Sequence, residues 1–177
     1  MTEQEQNQLI KYLFETAKVA NYKKGTVIIH EGCVSTKFYY LKKGLLRGWT
    51  YNDGKEITFQ FLFEDQLFCA TESFFYKSSC SYSIETIEDS VLLYIDREEM
   101  DMLQHDRTFQ TLFSKYLISR VASYQQLLIS RIQDKPEIRY KKLFQASPEI
   151  LLRIPQHYIA SYLGITSVSL SRIRNRR

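Results

Sequence analysis

Cysteine and histidine are scarce in this 177-residue chain, three of each. Cys33, Cys69 and Cys80 are an odd number at wide spacings with no CxxC pair, which argues against a disulfide framework or a zinc site. Three dispersed thiols also fall short of the four that hold an iron–sulfur cluster. His30, His105 and His157 lie far apart with no His-x-His, so the His–carboxylate cluster of a metal-dependent barrel enzyme is missing and no metal site is expected. No run of about 18 apolar residues exists, so no membrane span is indicated. The opening MTEQEQNQLIKYLFE is polar and acidic and has no signal-peptide core, so the chain reads as cytoplasmic. A serine nucleophile elbow and a phosphate-cradling glycine loop are both absent. No catalytic residue is nominated, and the chain is not expected to be an enzyme.

What is present suits a folded protein: 44% hydrophobic and 14% aromatic residues, with length enough for one or two small domains with a real core. Acidic residues nearly vanish from the second part of the chain. Residues 1–106 hold 11 Lys and Arg against 17 Asp and Glu, a net −6, whereas residues 107–177 hold 13 against 3, a net +10. Two modules are implied, of which only the basic one meets a polyanion.

The basic module ends in PQHYIASYLGITSVSLSRIRNRR, residues 155–177. Ile159, Leu163, Ile165, Leu170 and Ile173 are apolar at spacings that face one small core. Ala160 is small where two helices must cross. Gly164 falls where the first helix must end, since glycine enters the left-handed conformation without steric cost. Thr166 offers a hydroxyl to cap a second helix starting near Ser167. That helix presents Ser167, Val168, Ser169, Ser171 and Arg172 outward, and Arg174, Arg176 and Arg177 follow. A tight helix-turn-helix of this kind places its second helix in the major groove of DNA. The plain alternative is a pair of core helices with a glycine between them.

Ahead of it, residues 2–19 show helical spacing through Leu9, Ile10, Leu13, Phe14 and Ala17. Short strands then read over residues 26–29, 38–41, 45–51, 57–63, 82–87 and 91–95, with Asp53-Gly54 as a strong hairpin signal. They predict an antiparallel sandwich or barrel. The aromatics Phe59, Phe61, Phe63, Phe68, Phe74, Phe75, Tyr76 and Tyr82 read mostly as core, with an apolar ligand pocket as the second reading. Residues 98–103 read as a short helix. Residues 107–133 contain neither Gly nor Pro and carry Phe113, Leu117, Val121, Tyr124, Leu128 and Ile132 at three- and four-residue steps. Such a stripe packs on its own core or forms a symmetric coiled-coil seam between two copies. Pro136 starts a helix over residues 137–146, and Ser147-Pro148-Glu149 opens another that ends near Arg153. The expected fold class is α+β, in three parts. A double-stranded β-helix (jelly-roll) sensor domain with flanking helices covers residues 1–106. A dimerisation helix covers 107–134, and a helical helix-turn-helix domain covers 135–177.

This order resembles the bacterial regulators of the cyclic-AMP-receptor and fumarate–nitrate-regulator (Crp/Fnr) family. In the roll the resemblance is carried by Lys23-Lys24-Gly25-Thr26, His30-Glu31-Gly32, the run from Phe38 to Gly44, and Asp53-Gly54-Lys55-Glu56. Ile154 to Thr166 looks like a subgroup found among short regulators. The resemblance implies a homodimer through residues 107–133 on a palindromic operator in double-stranded DNA, with RNA polymerase as a further candidate partner. Gln156 and His157, at the start of the first motif helix, are expected against phosphate. Ser167, Val168, Ser169 and Arg172 are expected toward base edges, Thr166 and Ser171 are counted with them among the DNA-binding residues, and Arg174 and Arg176 are expected toward phosphate. Arg172 matches the arginine the family keeps in its recognition helix. Val168 stands where relatives often have glutamate, which implies a different half-site.

Two departures qualify the resemblance. Cyclic-nucleotide-binding members carry a Gly-Glu pair and then an arginine that grips the cyclic phosphate. Here Cys69-Ala70 stands for Gly-Glu and Cys80 for the arginine, and no arginine lies between Arg47 and Arg97. Cyclic AMP and cyclic GMP are therefore not expected as ligands; any effector is another molecule, and the cofactor-binding residues stay unassigned. Cys69 and Cys80 are expected close together in the roll, as buried structural thiols or as a redox pair. Relatives also continue past the recognition helix into a β-hairpin wing, which this sequence largely lacks. The runner-up reading is a ligand-sensing roll whose terminal helices bind a protein partner rather than DNA.

Overall fold

The computed structural model describes residues 1–15, 17–146, 148 and 150–175. Ser147, Glu149, Arg176 and Arg177, each used in the sequence reading, lie outside the described residues.

Helix α1 (Glu3–Phe14) opens with a capping box in which the Glu5 amide donates to Thr2 Oγ1 at 3.2 Å and the Thr2 amide donates to Glu5 Oε2 at 2.9 Å. Leu9 and Leu13, one turn apart, are fully buried, a placement that stabilises by about 1.5–3 kcal/mol for each side chain. The sequence reading carries this helix on to residue 19. It ends instead at Phe14, and Lys18–Tyr22 forms strand β1. That strand exists because it pairs with a partner some 70 residues later.

Strands β2 (Val27–Ile29), β3 (Lys37–Lys43), β4 (Leu46–Asn52), β5 (Lys55–Leu62), β6 (Leu67–Phe68), β7 (Ser83–Thr86) and β8 (Ser90–Asp96) complete a roll of two four-stranded antiparallel sheets, in the orders β1-β8-β3-β6 and β2-β7-β4-β5. The β4–β5 hairpin turns at Asp53-Gly54, both with positive φ (49° and 75°), which matches the right-handed twist of the flanking strands. A register shift between Gly48 and Trp49 brings the Phe59 ring against the Gly48 backbone, where a Cβ would stand 2.7 Å from the ring. Only glycine fits there. Two elements escape the sequence reading: β6, and helix α2 (Thr71–Tyr76).

Both sheets are buried on both faces. Tyr39 and Leu41 meet Ile29, Leu46, Leu62 and Ile84 inside the roll. Outside the first sheet, Phe38 and Ile95 pack on α1, on Met100 of α3 (Arg97–Leu103), and on Phe109, Leu112, Phe113 and Tyr116 of α4 (Arg107–Gln133). Asp106 caps α4 by accepting from the Phe109 amide at 2.8 Å. Phe113, in the stripe read from sequence as core or as dimer seam, belongs to this intrachain core. Phe75 and Tyr76, read as core, are exposed.

Outside the second sheet, Leu45, Phe61 and Ile87 share a core with Ile154, Ile159, Ala160, Leu163 and Leu170 from the terminal helices. These helices are α5 (Pro136–Ala146), α6 (Ile150–Arg153), α7 (Gln156–Leu163) and α8 (Ser167–Asn175).

Candidate nucleic-acid interface

The turn between α7 and α8 forms as its residues dictate. Gly164 adopts φ 67° and ψ 34°, its amide donates to Ser161 O at 3.0 Å, and the Ile165 amide donates to Ala160 O at 3.0 Å, closing the helix end. Thr166 Oγ1 accepts from the Ser169 amide at 3.1 Å and starts α8. Ile159, Leu163 and Leu170 are fully buried, while Ile165 and Ile173 are half-buried. The helix pair thus has a dry back and an open front. On the front, Gln156, His157, Thr166, Ser167, Val168, Ser171, Arg172 and Arg174 are all exposed. Ser169 is half-buried, and its amide and hydroxyl are engaged with Thr166. Both groups are thus engaged in starting α8. Arg172 and Arg174 stand in the last turn of α8, where the helix dipole favours cations.

The back of the pair is seated on the roll by polar contacts that sequence reasoning missed. Arg47 of β4 is 1% exposed. It pairs with Glu56 and Glu85 at 2.5 Å each, and its guanidinium lies 3.8 Å from the centre of the Tyr158 ring of α7. Ser161 of α7 accepts from the Thr58 amide at 2.9 Å. Arg139 of α5 donates to the Leu163 carbonyl and Arg131 of α4 to the Phe59 carbonyl, both at 2.8 Å.

Arg153, the last residue of α6, donates to Glu64, Glu88 and the Gly44 carbonyl at 2.7–3.1 Å. Its guanidinium holds the Glu64 carboxyl down at about 2, and those two carboxylates raise Arg153 in return. A depressed carboxyl stabilises above its ordinary pKa of 4.5 and loses that contribution as pH falls through about 2. Arg153→Ala is accordingly expected to cost about 1–3 kcal/mol in urea unfolding at neutral pH, the loss of charge-assisted hydrogen bonds that are partly solvated. The gap from the parent should narrow as pH drops below about 4.5. A gap independent of pH would place the effect outside the ion pairs.

Inside the roll, the positions that the sequence reading set against phosphate-binding residues are apolar. Ala70 and Cys80 are buried among Ile29, Tyr39, Leu41 and Phe68. Cys69 is half-buried, yet burial of its thiol pushes it up to about 12, so it stays protonated at neutral pH. The flanking arginines are engaged elsewhere, Arg47 on the outer face of β4 and Arg97 on the carbonyls of Phe74, Ser73 and Ser35. Lys77 is an exposed left-handed C-cap of α2. Cys69, Cys80 and Cys33 are all free thiols, and Cys33 is exposed. Among the described residues no cluster of His, Cys, Asp and Glu is placed to hold a metal, and no helix is long and apolar enough to cross a membrane.

Residues 19–106 match the family model of the cyclic nucleotide-binding domain. Solved structures similar to the whole chain include FixK2 from Bradyrhizobium japonicum, with a TM-score of 0.73 at 18% identity over 91% of this chain and 84% of that one. A second is the c-di-GMP responsive global regulator CLP of Xanthomonas campestris (0.73, 14%, 94% and 89%). A third is the catabolite activator protein of Thermus thermophilus (0.55, 21%, 98% and 82%). None of the curated protein sequences matches the chain. Residues 19–106 are thus similar to the cyclic nucleotide-binding domain, and the chain as a whole has the fold of the Crp/Fnr regulators.

Proposed function

We propose that the protein is a homodimeric, sequence-specific DNA-binding transcription regulator. Residues 1–106 form its sensor domain, 107–134 its dimerisation helix and 135–177 its DNA-binding domain. The observation that carries the reading is the open front of the helix pair. Gln156 and His157 stand at the start of α7, and Thr166, Ser167, Val168, Ser171, Arg172 and Arg174 stand exposed on and before α8, while the back is buried against the roll. Backbone N–H groups at the start of α7 suit phosphate, and an exposed guanidinium on α8 suits the O6/N7 edge of guanine. Val168, 62% exposed, packs on a thymine methyl but cannot accept from cytosine N4, so a half-site richer in A·T is expected.

The second half of α4 supports the homodimer. Its first turns are buried against the roll, but Leu117, Ile118, Val121, Leu128, Ile129 and Ile132 are exposed, several by more than half. A second copy packing α4 against α4 in parallel covers such a stripe and spaces two recognition helices for a palindrome. Val121→Glu with Leu128→Glu should convert a dimer to a monomer in sedimentation and cost at least about tenfold in operator affinity. An unchanged dimer would remove α4 as the contact.

The roll is read as the sensor of an effector other than a cyclic nucleotide, because the phosphate position offers thiols and Ala70 in place of a guanidinium fork. Titration of the full chain with cyclic AMP or cyclic GMP should show no saturable binding in the micromolar range; saturation there would contradict this reading. RNA polymerase remains a candidate further partner.

A further inference from the structure

Two adjoining hollows lie where α4, α5 and α7 meet the roll, and both are walled by Leu127, Leu143 and Tyr162. The first, about 200 Å³, is lined by the cations Arg131, Arg139 and Lys142. The second, about 180 Å³, is lined by Phe59, Phe61, Phe63 and Tyr124, with Arg120, Gln60 and Gln66 at its polar side. The first is therefore cationic and the second mainly aromatic.

The cationic end is not saturated by the protein. Arg139 donates through one terminal nitrogen to Leu163 O, but its Nε is buried with no hydrogen-bond partner. A buried charged donor without an acceptor is costly, and an anion or water reaching this guanidinium would offset that cost. Arg131 is held 4.9 Å from the centre of the Tyr162 ring and donates to Phe59 O. Lys142 pairs at 2.6 Å with Asp134, which also accepts from Ser130 and lies close enough to Arg139 to feel its charge. Asp134 thus serves Lys142 and feels Arg139, whereas Arg131 is held by a ring and a carbonyl.

We propose that this hollow binds a small organic anion, its carboxylate against Arg139 and Lys142 and its aromatic or aliphatic tail among Phe59, Phe63 and Tyr124. Its lining shares no residue with the position of Cys69, Ala70 and Cys80, to which Tyr82 connects it through Phe59. At 3.6 residues per turn, Arg120, Leu127 and Arg131 lie about a quarter-turn of α4 from Val121, Leu128 and Ile132, with Tyr124 at the border between the proposed dimer face and the hollow. Its walls come from the roll, the long helix and the terminal module together, so an occupant bridges all three and favours one arrangement of them.

The test is calorimetric titration of the full chain, without DNA, with 4-phenylbutyrate and octanoate, each beside its primary amide. At least one acid should saturate a single site with a Kd below about 1 mM, and its amide should bind about tenfold more weakly. Arg139→Gln and Lys142→Gln should each weaken the acid about tenfold, whereas Lys55→Gln, an exposed cation at the hairpin tip, should not. Lys142 is a surface side chain, so its variant keeps the test open if Arg139→Gln fails to fold. Equal binding of acid and amide, unchanged affinity in the Lys142 variant, or no saturation by either acid up to about 10 mM would overturn the proposal. Binding is read without DNA and stands apart from the DNA reading; only a shift in duplex affinity on adding the acid depends on both.

Discussion

Replacing Arg47 with methionine is expected to destabilise the folded chain by about 3–5 kcal/mol, the cost of breaking a buried ion pair from one side. Arg47 is held by Glu56, by Glu85 through both Nε and a terminal nitrogen, and by Thr58 Oγ1 at 3.4 Å. Its other face meets Tyr158 and, at 5.3 Å from the ring centre, Trp49. Methionine keeps much of the volume, so little of the loss comes from a cavity. What remains is a pair of carboxylates facing each other at the edge of a dry interface. Removing them as well, in Arg47→Met with Glu56→Gln and Glu85→Met, should recover most of the stability, since apolar replacement of a whole buried network is close to neutral. Urea unfolding of the single and triple variants at neutral pH decides. If the triple variant is no better than the single, Arg47 acts through packing on Tyr158 and not through its charge. The same cluster holds α7 on the roll, so proteolysis between α6 and α7 should speed up in the single variant.

Arg172→Ala is expected to flatten sequence preference while leaving general DNA affinity largely in place. A bidentate arginine–guanine contact contributes about 1–3 kcal/mol of discrimination, which is roughly a 5- to 150-fold preference at one base position. Arg174→Ala should instead weaken binding to all duplexes alike and reduce the salt slope by about 1. Both side chains are exposed and carry the same charge; the division rests on where each sits along α8. Competition titrations with matched and singly mismatched duplexes at several salt concentrations distinguish them. Two variants behaving alike would dissolve the separation into reading and positioning residues.

The helix-turn-helix was legible because every signal in it is local: Gly164 at the helix end, Thr166 three residues before the amide it caps, and apolar residues at helical spacing. The same holds for the β4–β5 hairpin, set by Asp53-Gly54. Strand β1 was not legible, because KVANY has no alternation of its own and becomes a strand by pairing Lys18 with Tyr94 and Tyr22 with Ser90. Strand β6 is two residues long and α2 six, too short for any period to show. The stripe on α4 was legible as apolar spacing with two readings, core or seam, and only burial separates Phe113, which belongs to the roll, from Leu117 onward. The seat of the terminal helices was the least visible part. Arg47 lies 9 residues from Glu56 and 38 from Glu85, and Thr58 lies 103 from Ser161. Its one local trace is a cation in an apolar strand, Leu45-Leu46-Arg47-Gly48-Trp49. The orphaned Nε of Arg139 has no sequence trace at all.

The central claim is that the chain reads a palindromic DNA sequence as a dimer. The most direct measurement is selection of the full-length protein on a randomised duplex pool at two salt concentrations, with and without cyclic AMP, followed by anisotropy on the selected duplex. The expected result is a two-fold-symmetric site with half-sites one helical turn apart, bound more weakly at higher salt with a slope of several released counterions, and unaffected by cyclic AMP. No selection at either salt, with binding that barely responds to salt, would contradict the claim and favour terminal helices that serve a protein partner instead.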